Sequence, residues 1–228
     1  MQSLELAVLV GFSLLIIFVA VPYIWQSVAA SMAQLEARQY MSFFVTFADS
    51  LSADFGMSGV RRSYVLPNLL YGSLSVRSYP MEIRCGGRSV RVYQLYVWYN
   101  SSYILGGARP LRGERNVTVA HLGQPIAAVN ASSLGFLDAA ARGYVLFTGP
   151  VLVKGEKESV LYVINVSRVE FRGGSLGYKV TAVKTPEVDH SLMLTSPDGY
   201  CTVSISGKSW RVRLGERVRL VVTEVVVT

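Results

Sequence analysis

The stretch Gly173-Gly174-Ser175-Leu176-Gly177 matches the G-x-S-x-G pattern in which a serine nucleophile sits on a sharp turn. That elbow needs a strand before the serine and a helix after it, whereas Tyr178 to Lys184 has the alternation of a strand. Ser175 therefore reads as part of a glycine-rich hairpin loop. The two histidines, His121 and His190, have no partner four residues away and no nearby cysteine pair, so the spacing of a zinc site is missing. Glu156 and Glu158 flank Lys157 in the manner of a solvated turn, and no loop ends in Gly-Lys-Ser/Thr to cradle a phosphate. These patterns specify no reaction, metal or cofactor, and the expectation is a protein that is not an enzyme.

Two further groups point outward from the cell. Cys85 and Cys201 form an even pair that in an exported chain can close one disulfide, with two separate buried thiols as the alternative. Four Asn-x-Ser/Thr triplets begin at Asn100, Asn116, Asn130 and Asn165, and suit N-linked glycans on an extracellular surface or, failing that, polar turns. The formal charge is +7, but residues 1 to 60 carry only Arg38 against Glu5, Glu36, Asp49 and Asp54, so the basic excess belongs to the rest of the chain. Bases such as Arg88, Arg91, Arg211, Arg213, Arg217 and Arg219 lie at strand spacing without a run. A solvated strand face is the first reading, and a patch for anionic surfaces or DNA the second.

The elements that must position these residues begin with a rod. From Leu6 to Val21 no side chain is charged and Ser13 is nearly the only polar one; with the residues on to Trp25 this is enough to cross about 30 Å of hydrocarbon. No glycine or proline then intervenes until Gly56. Val28, Met32, Leu35, Tyr40, Phe43, Phe47, Leu51 and Phe55 recur at helical steps opposite Gln34, Arg38 and Ser42. The spacing predicts one helix of about 50 residues, roughly 75 Å long, ending at Gly56 and Gly59. Within it, Glu5 is a carboxylate at the edge of an apolar segment and wants a cationic partner or headgroup-level water. Pro22 deletes a backbone hydrogen bond and is expected to kink or locally melt the helix, or to mark with Tyr23 and Trp25 the membrane surface. Gly11 permits close approach of a second helix.

A short polar head, Glu5, an unbroken apolar run, Pro22 and an amphipathic continuation together resemble the mature N-terminus of the type IV pilin superfamily. The resemblance covers residues 1 to about 55. It implies removal of a short basic leader, pairing of Glu5 with the free amino group at Met1 of a neighbouring subunit, and loss of helicity around Pro22 in the filament. Met1 stands where bacterial members usually have phenylalanine, and the remainder of the chain does not follow the bacterial αβ-roll pattern.

After Gly59 the period changes to two. Strands are predicted at Tyr64 to Leu66, Leu74 to Val76, Met81 to Cys85, Ser89 to Tyr99, Val117 to Ala120, Tyr144 to Val153, Ser159 to Val166, Tyr178 to Lys184, Cys201 to Ile205, Ser209 to Leu214 and Arg217 to Val227. Short turns at Gly86-Gly87, Lys154-Gly155-Glu156, Gly173-Gly174, Pro197-Asp198-Gly199, Gly207-Lys208 and Gly215-Glu216 would make antiparallel hairpins. The only candidate helical turn lies near Leu134 to Ala141. The expected fold class is α+β: an assembly and membrane helix over residues 1 to 56, then an extracellular antiparallel β-sandwich, Ig-like, over 57 to 228. It resembles the heads of archaeal pilins and archaellins. The expected function is a structural subunit that leaves the cytoplasmic membrane to join a helical homopolymer on the cell surface, used for adhesion or attachment. The competing expectations are a monomeric membrane-anchored binding protein and, behind it, an anchored enzyme.

Overall fold

The computed structural model describes residues 2–101, 109–113, 120–121, 125–131, 143–155, 158–205 and 207–228. Met1, Asn116 and the candidate turn near Leu134 to Ala141 lie outside the described residues. Helix α1 spans Gln2–Ala53, 52 residues or about 78 Å. It runs unbroken through Pro22, so the expected local melting is not found in the single chain; the proline costs one hydrogen bond, and the turns on both sides hold the helix together. The helix stops where the sequence loses its helical residues, and Gly56 then takes φ +80°, a conformation that favours glycine.

The rest is mostly antiparallel β-structure in two seven-stranded sheets, so the α+β class holds. One sheet is built from β1 (Arg61–Val65), β5 (Ala120–His121), β8 (Val151–Lys154), β9 (Glu158–Val169), β10 (Ser175–Lys184), β11 (Met193–Thr195) and β14 (Arg217–Val227), in the order β1-β10-β14-β9-β8-β5 with β11 also on β14. The other holds β2 (Ser73–Cys85), β3 (Arg88–Asn100), β4 (Arg109–Arg112), β6 (Ala127–Ala131), β7 (Gly143–Thr148), β12 (Tyr200–Ile205) and β13 (Lys208–Arg213), in the order β13-β12-β2-β3-β7-β6-β4.

Three of the expected hairpins form: β2–β3 across Gly86-Gly87, β8–β9, and β12–β13. The other three turns behave differently. β14 inserts between β9 and β10, pairing parallel with β9 and antiparallel with β10, so the sheet is mixed and β9 and β10 are not neighbours. The turns at Pro197-Asp198-Gly199 and Gly215-Glu216 instead carry the chain from one sheet to the other. The cause is legible in β14 itself. Its buried residues change face midway, with Val218, Leu220 and Val222 on one side and Val225 and Val227 on the other, and a strand buried on both faces belongs at a sheet's centre. β2 is likewise one strand where two were expected around Pro80. Pairing with β12 begins only at Met81, so the missing N–H of Pro80 interrupts no ladder there.

Two apolar clusters draw on both sheets. One, between the sheets, includes Ile83, Tyr96, Phe147, Leu161, Val203, Leu220 and the half-cystines. The other surrounds the C-terminal half of α1 and takes Leu95, Val97 and Tyr99 from β3 and Leu176, Tyr178 and Val180 from β10. β3 thus feeds one cluster with odd residues and the other with Tyr96, which explains its nearly continuous apolar run. Where β3 meets β9 the backbone N–H of Tyr93 donates to Asn165 Oδ1 at 2.9 Å.

Candidate assembly surface

The helix has two halves with opposite fates. In the C-terminal half, Ala33, Ala37, Tyr40, Phe44, Phe47, Ala48 and Leu51 are buried at steps of three and four, so one face is packed on the sheets. This corrects the expected stripe in part. Tyr40, Phe47 and Leu51 point inward and Phe43 and Phe55 are half-buried, but Val28, Met32 and Leu35 are exposed. Ala33 and Ala37 take the contact positions at the start of this face instead, and Tyr40, Phe44 and Phe47 continue it.

Aromatic rings fasten that face. Tyr40 stacks on Tyr99 with centroids 4.5 Å apart and planes at 10°, and Phe47 meets Tyr178 edge-on at 5.4 Å. Two carboxylates fix its ends. Glu36, 6% exposed, accepts from Tyr99 Oη at 2.9 Å and from the backbone N–H groups of Leu70 and Tyr71 at 2.8 and 3.0 Å. Tyr40 Oη donates to the carbonyl of Pro67 at 2.8 Å, so the loop before β2 is held at two levels of the helix. Burial, with the Glu36 charge second, pushes the Tyr40 phenol up to about 12. Burial and then the hydrogen bond to Glu36 raise the Tyr99 phenol as well. Sequence reading missed Glu36 because an acid beside an apolar stripe looks like a solvated residue; Glu36 two residues before the isolated Arg38 gave no hint of burial.

At the helix end Asp54, also buried, accepts from Tyr178 Oη at 2.6 Å and from Arg62 Nη2 at 2.7 Å. The Arg62 hydrogen bond is the largest influence on Asp54 and holds its carboxyl below the usual range despite burial. A depressed folded value means stabilisation present above the unfolded value near about 3.9 and lost as pH falls through the depressed one. Asp54→Asn is therefore expected to lower Tm at pH 7 and to flatten the fall of Tm below about pH 4. Thermal melts of both proteins from pH 7 to pH 2 test this, and parallel curves would exclude the role.

The N-terminal half is bare. From Val8 to Met32 the large apolar side chains are exposed, Phe18 and Trp25 each to 76%, and none of the most apolar 18-residue window is buried. This helix is long and apolar enough to cross a membrane. Glu5 is exposed on a surface lined by Val8, Leu9, Phe12, Ser13 and Ile16, so a carboxylate shares a face with aliphatic and aromatic groups. Ser13 is satisfied within the helix by the carbonyl of Leu9 at 2.9 Å. A Cβ on Gly11 would meet nothing within 4 Å, so nothing in the single chain requires a glycine there.

Cys85 and Cys201 are joined in a disulfide between β2 and β12 with Cα atoms 4.5 Å apart. Asn100 ends β3 half-buried, and Asn165 is engaged with Tyr93. Asn130 is 3% exposed within β6, where the folded chain has no room for a glycan. Ser175 opens β10 opposite Val65 with a strand after it, not a helix, and His190 lies in a short 3-10 helix. Of the six spaced bases, Arg211 pairs with Asp198 at 2.8 Å and covers the Tyr200 ring, while Arg219 reaches Glu158 and Glu187. Compared with known proteins, the chain matches no family model, no curated protein and no solved structure.

Proposed function

We propose that the chain is a pilin-like subunit of an extracellular filament, held in the cytoplasmic membrane by its N-terminal helix and then polymerised through that same helix. The observation that carries this is the contrast along one continuous helix: a C-terminal half fastened into the β-domain and an N-terminal arm with an uncovered apolar surface all round. An apolar arm of this kind has two homes, lipid tails or sister arms, and moving from one to the other exposes nothing to water. A head-to-tail contact between different faces of neighbouring arms repeats from copy to copy without closing, which generates an open helical array. The β-domain then forms the coat as an immunoglobulin-like sandwich, with β14 inserted to make one sheet mixed. Adhesion or attachment is the use such a coat suits, with glycans at Asn100 or Asn116 in keeping with an outer surface.

Glu5 gives the test its edge. A carboxylate among packed apolar arms costs on the order of 2.5 to 3.5 kcal/mol unless a cation meets it, and the amino group at Met1 of a neighbour is the expected partner. Glu5→Gln leaves that amino cation unpaired among the arms, at a similar cost, and should therefore cut the yield of sheared surface filaments about a hundredfold while membrane insertion and folding stay intact. Electron microscopy with mass spectrometry of the sheared fraction reads the result. Wild-type material found only as single molecules in membrane would favour the anchored binding protein and end the filament reading.

A further inference from the structure

Resting on that reading, we infer that an apolar shelf at the root of the arm is a docking site for the arm of a second copy of this chain. Five side chains make the shelf: Val28, Met32 and Leu35 on α1, each about half exposed, and Leu69 and Leu70 on the loop before β2, exposed to 42% and 78%. The helical members continue a stripe that starts lower down. Val21, Ile24, Val28, Met32 and Leu35 follow at steps of three and four, so one exposed apolar line passes from the membrane-length segment into the β-domain's territory.

The loop is brought to this line by chemistry already described. Its backbone at Leu70 and Tyr71 is hydrogen-bonded to Glu36, and Met32 lies one turn below Glu36 and about 40° around the helix. The Leu70 backbone is thus fixed at the level of Glu36, one turn from Met32, with little backbone entropy left to lose on contact. Leucine at this exposure, tethered by a buried carboxylate and serving no internal packing, is surface prepared for a partner.

Two arguments choose the occupant. If the segment ending at Trp25 fills the bilayer, Met32 stands about 10 Å and the Glu36 level about 16 Å beyond it, outside the hydrocarbon. An anchor needs no apolar stripe at that height. A sister arm, by contrast, carries no charge between Glu5 and Glu36, so it covers the shelf without stranding an ion. For arm residues 8 to 25 to lie alongside residues 28 to 35, the neighbour must be displaced along the helix axis by between about 5 and 40 Å, as successive copies in a filament are.

The test uses the full chain, in sheared filaments and in phosphatidylcholine–phosphatidylglycerol vesicles. The triple variant Met32→Gln, Leu69→Gln, Leu70→Gln should fold and insert as wild type but give at least about tenfold fewer filaments. Leu70→Cys combined with a second cysteine scanned through Leu9, Phe12, Ile16 and Phe18 should give oxidised covalent dimers from filaments and none from vesicles. Normal filament yield from the triple variant, or no cross-link at any scanned position, overturns the shelf while leaving the filament reading standing. Quenching by spin-labelled lipid of a fluorophore attached to the thiol of the Leu70→Cys variant would assign the shelf to the membrane instead and overturn it equally. Failure of the wild-type chain to polymerise removes the filament reading itself, and the shelf with it.

Discussion

Replacing both half-cystines, Cys85→Ala with Cys201→Ala, is expected to lower the unfolding free energy by about 4 to 5 kcal/mol and Tm by roughly 10 to 15 °C. The bridge spans a sequence separation of 116, and on the chain-entropy account a loop of that size is worth about 4.7 kcal/mol through restriction of the unfolded chain. Both residues are almost wholly buried in the cluster between the sheets, so alanine leaves a small cavity but no orphaned hydroxyl, which serine would. The position matters as much as the length. β12 pairs with β2 over only Thr202 to Ile205, and β13, outside β12, is an edge strand with one neighbour. The disulfide continues the β2–β12 register by covalent means where the ladder ends. Amide exchange should accordingly speed up first in β12 and β13 of the variant, ahead of β3 and β14. Equal melting temperatures for wild type and the double variant would show that the bridge restrains nothing the ladder does not already hold.

The helix was legible because its signals are local: an apolar run of membrane length, steps of three and four, and glycine at the stop. Most strands were legible for the same reason, and β2–β3 was recoverable to its turn because Gly86-Gly87 lies between two alternating runs. What sequence periodicity could not carry is partner choice between distant segments. The turns at Gly173-Gly174 and Gly215-Glu216 look like hairpin turns, yet the β14 segment displaces the near partner, since a strand with valines on both faces gains more between two strands than beside one. The bare apolar arm was largely visible, because its residues lie in a segment whose surroundings are simply more of itself. The half fastened to the β-domain was misread near its start for a related reason. Val28, Met32 and Leu35 are more apolar than Ala33 and Ala37, but the alanines take the contact positions, and periodicity scores hydrophobicity alone. Glu36 was invisible because its three donors come from segments 34 to 63 residues away.

Glu36→Ala is the second change with a large expected effect, a loss of about 3 to 5 kcal/mol in stability. The substitution leaves a buried phenol and two backbone N–H groups without their acceptor, and a buried donor left unmet costs more than its hydrogen bond was worth. Glu36→Gln keeps the volume and one acceptor oxygen but turns an amide N–H₂ toward donors, so about half of the loss should remain. Tyr99→Phe removes a single donor and should cost about 1 kcal/mol alone, with strong coupling to Glu36→Gln in a double-mutant cycle. Exchange at the Leu70 and Tyr71 amides should rise in both Glu36 variants. An alanine variant melting within a degree or two of wild type would rule out the lock. Burying an acid is a costly way to hold two elements together, and an apolar residue of the same size would often serve stability as well. What the carboxylate adds is register. Ala33, Ala37 and Ala48 present a smooth face on which a helix can slip or roll, whereas one carboxylate with three donors from two segments accepts a single rotation and height. Along an ideal helix Glu5 lies about 140° around from Glu36, and a slip of one residue swings it by about 100°. In the filament proposed here, a change of that size would carry Glu5 away from its neighbour's cation and the stripe ending at Leu35 away from its neighbour's arm. The Glu36 variants should for that reason lose filaments even at temperatures where their β-domains remain folded.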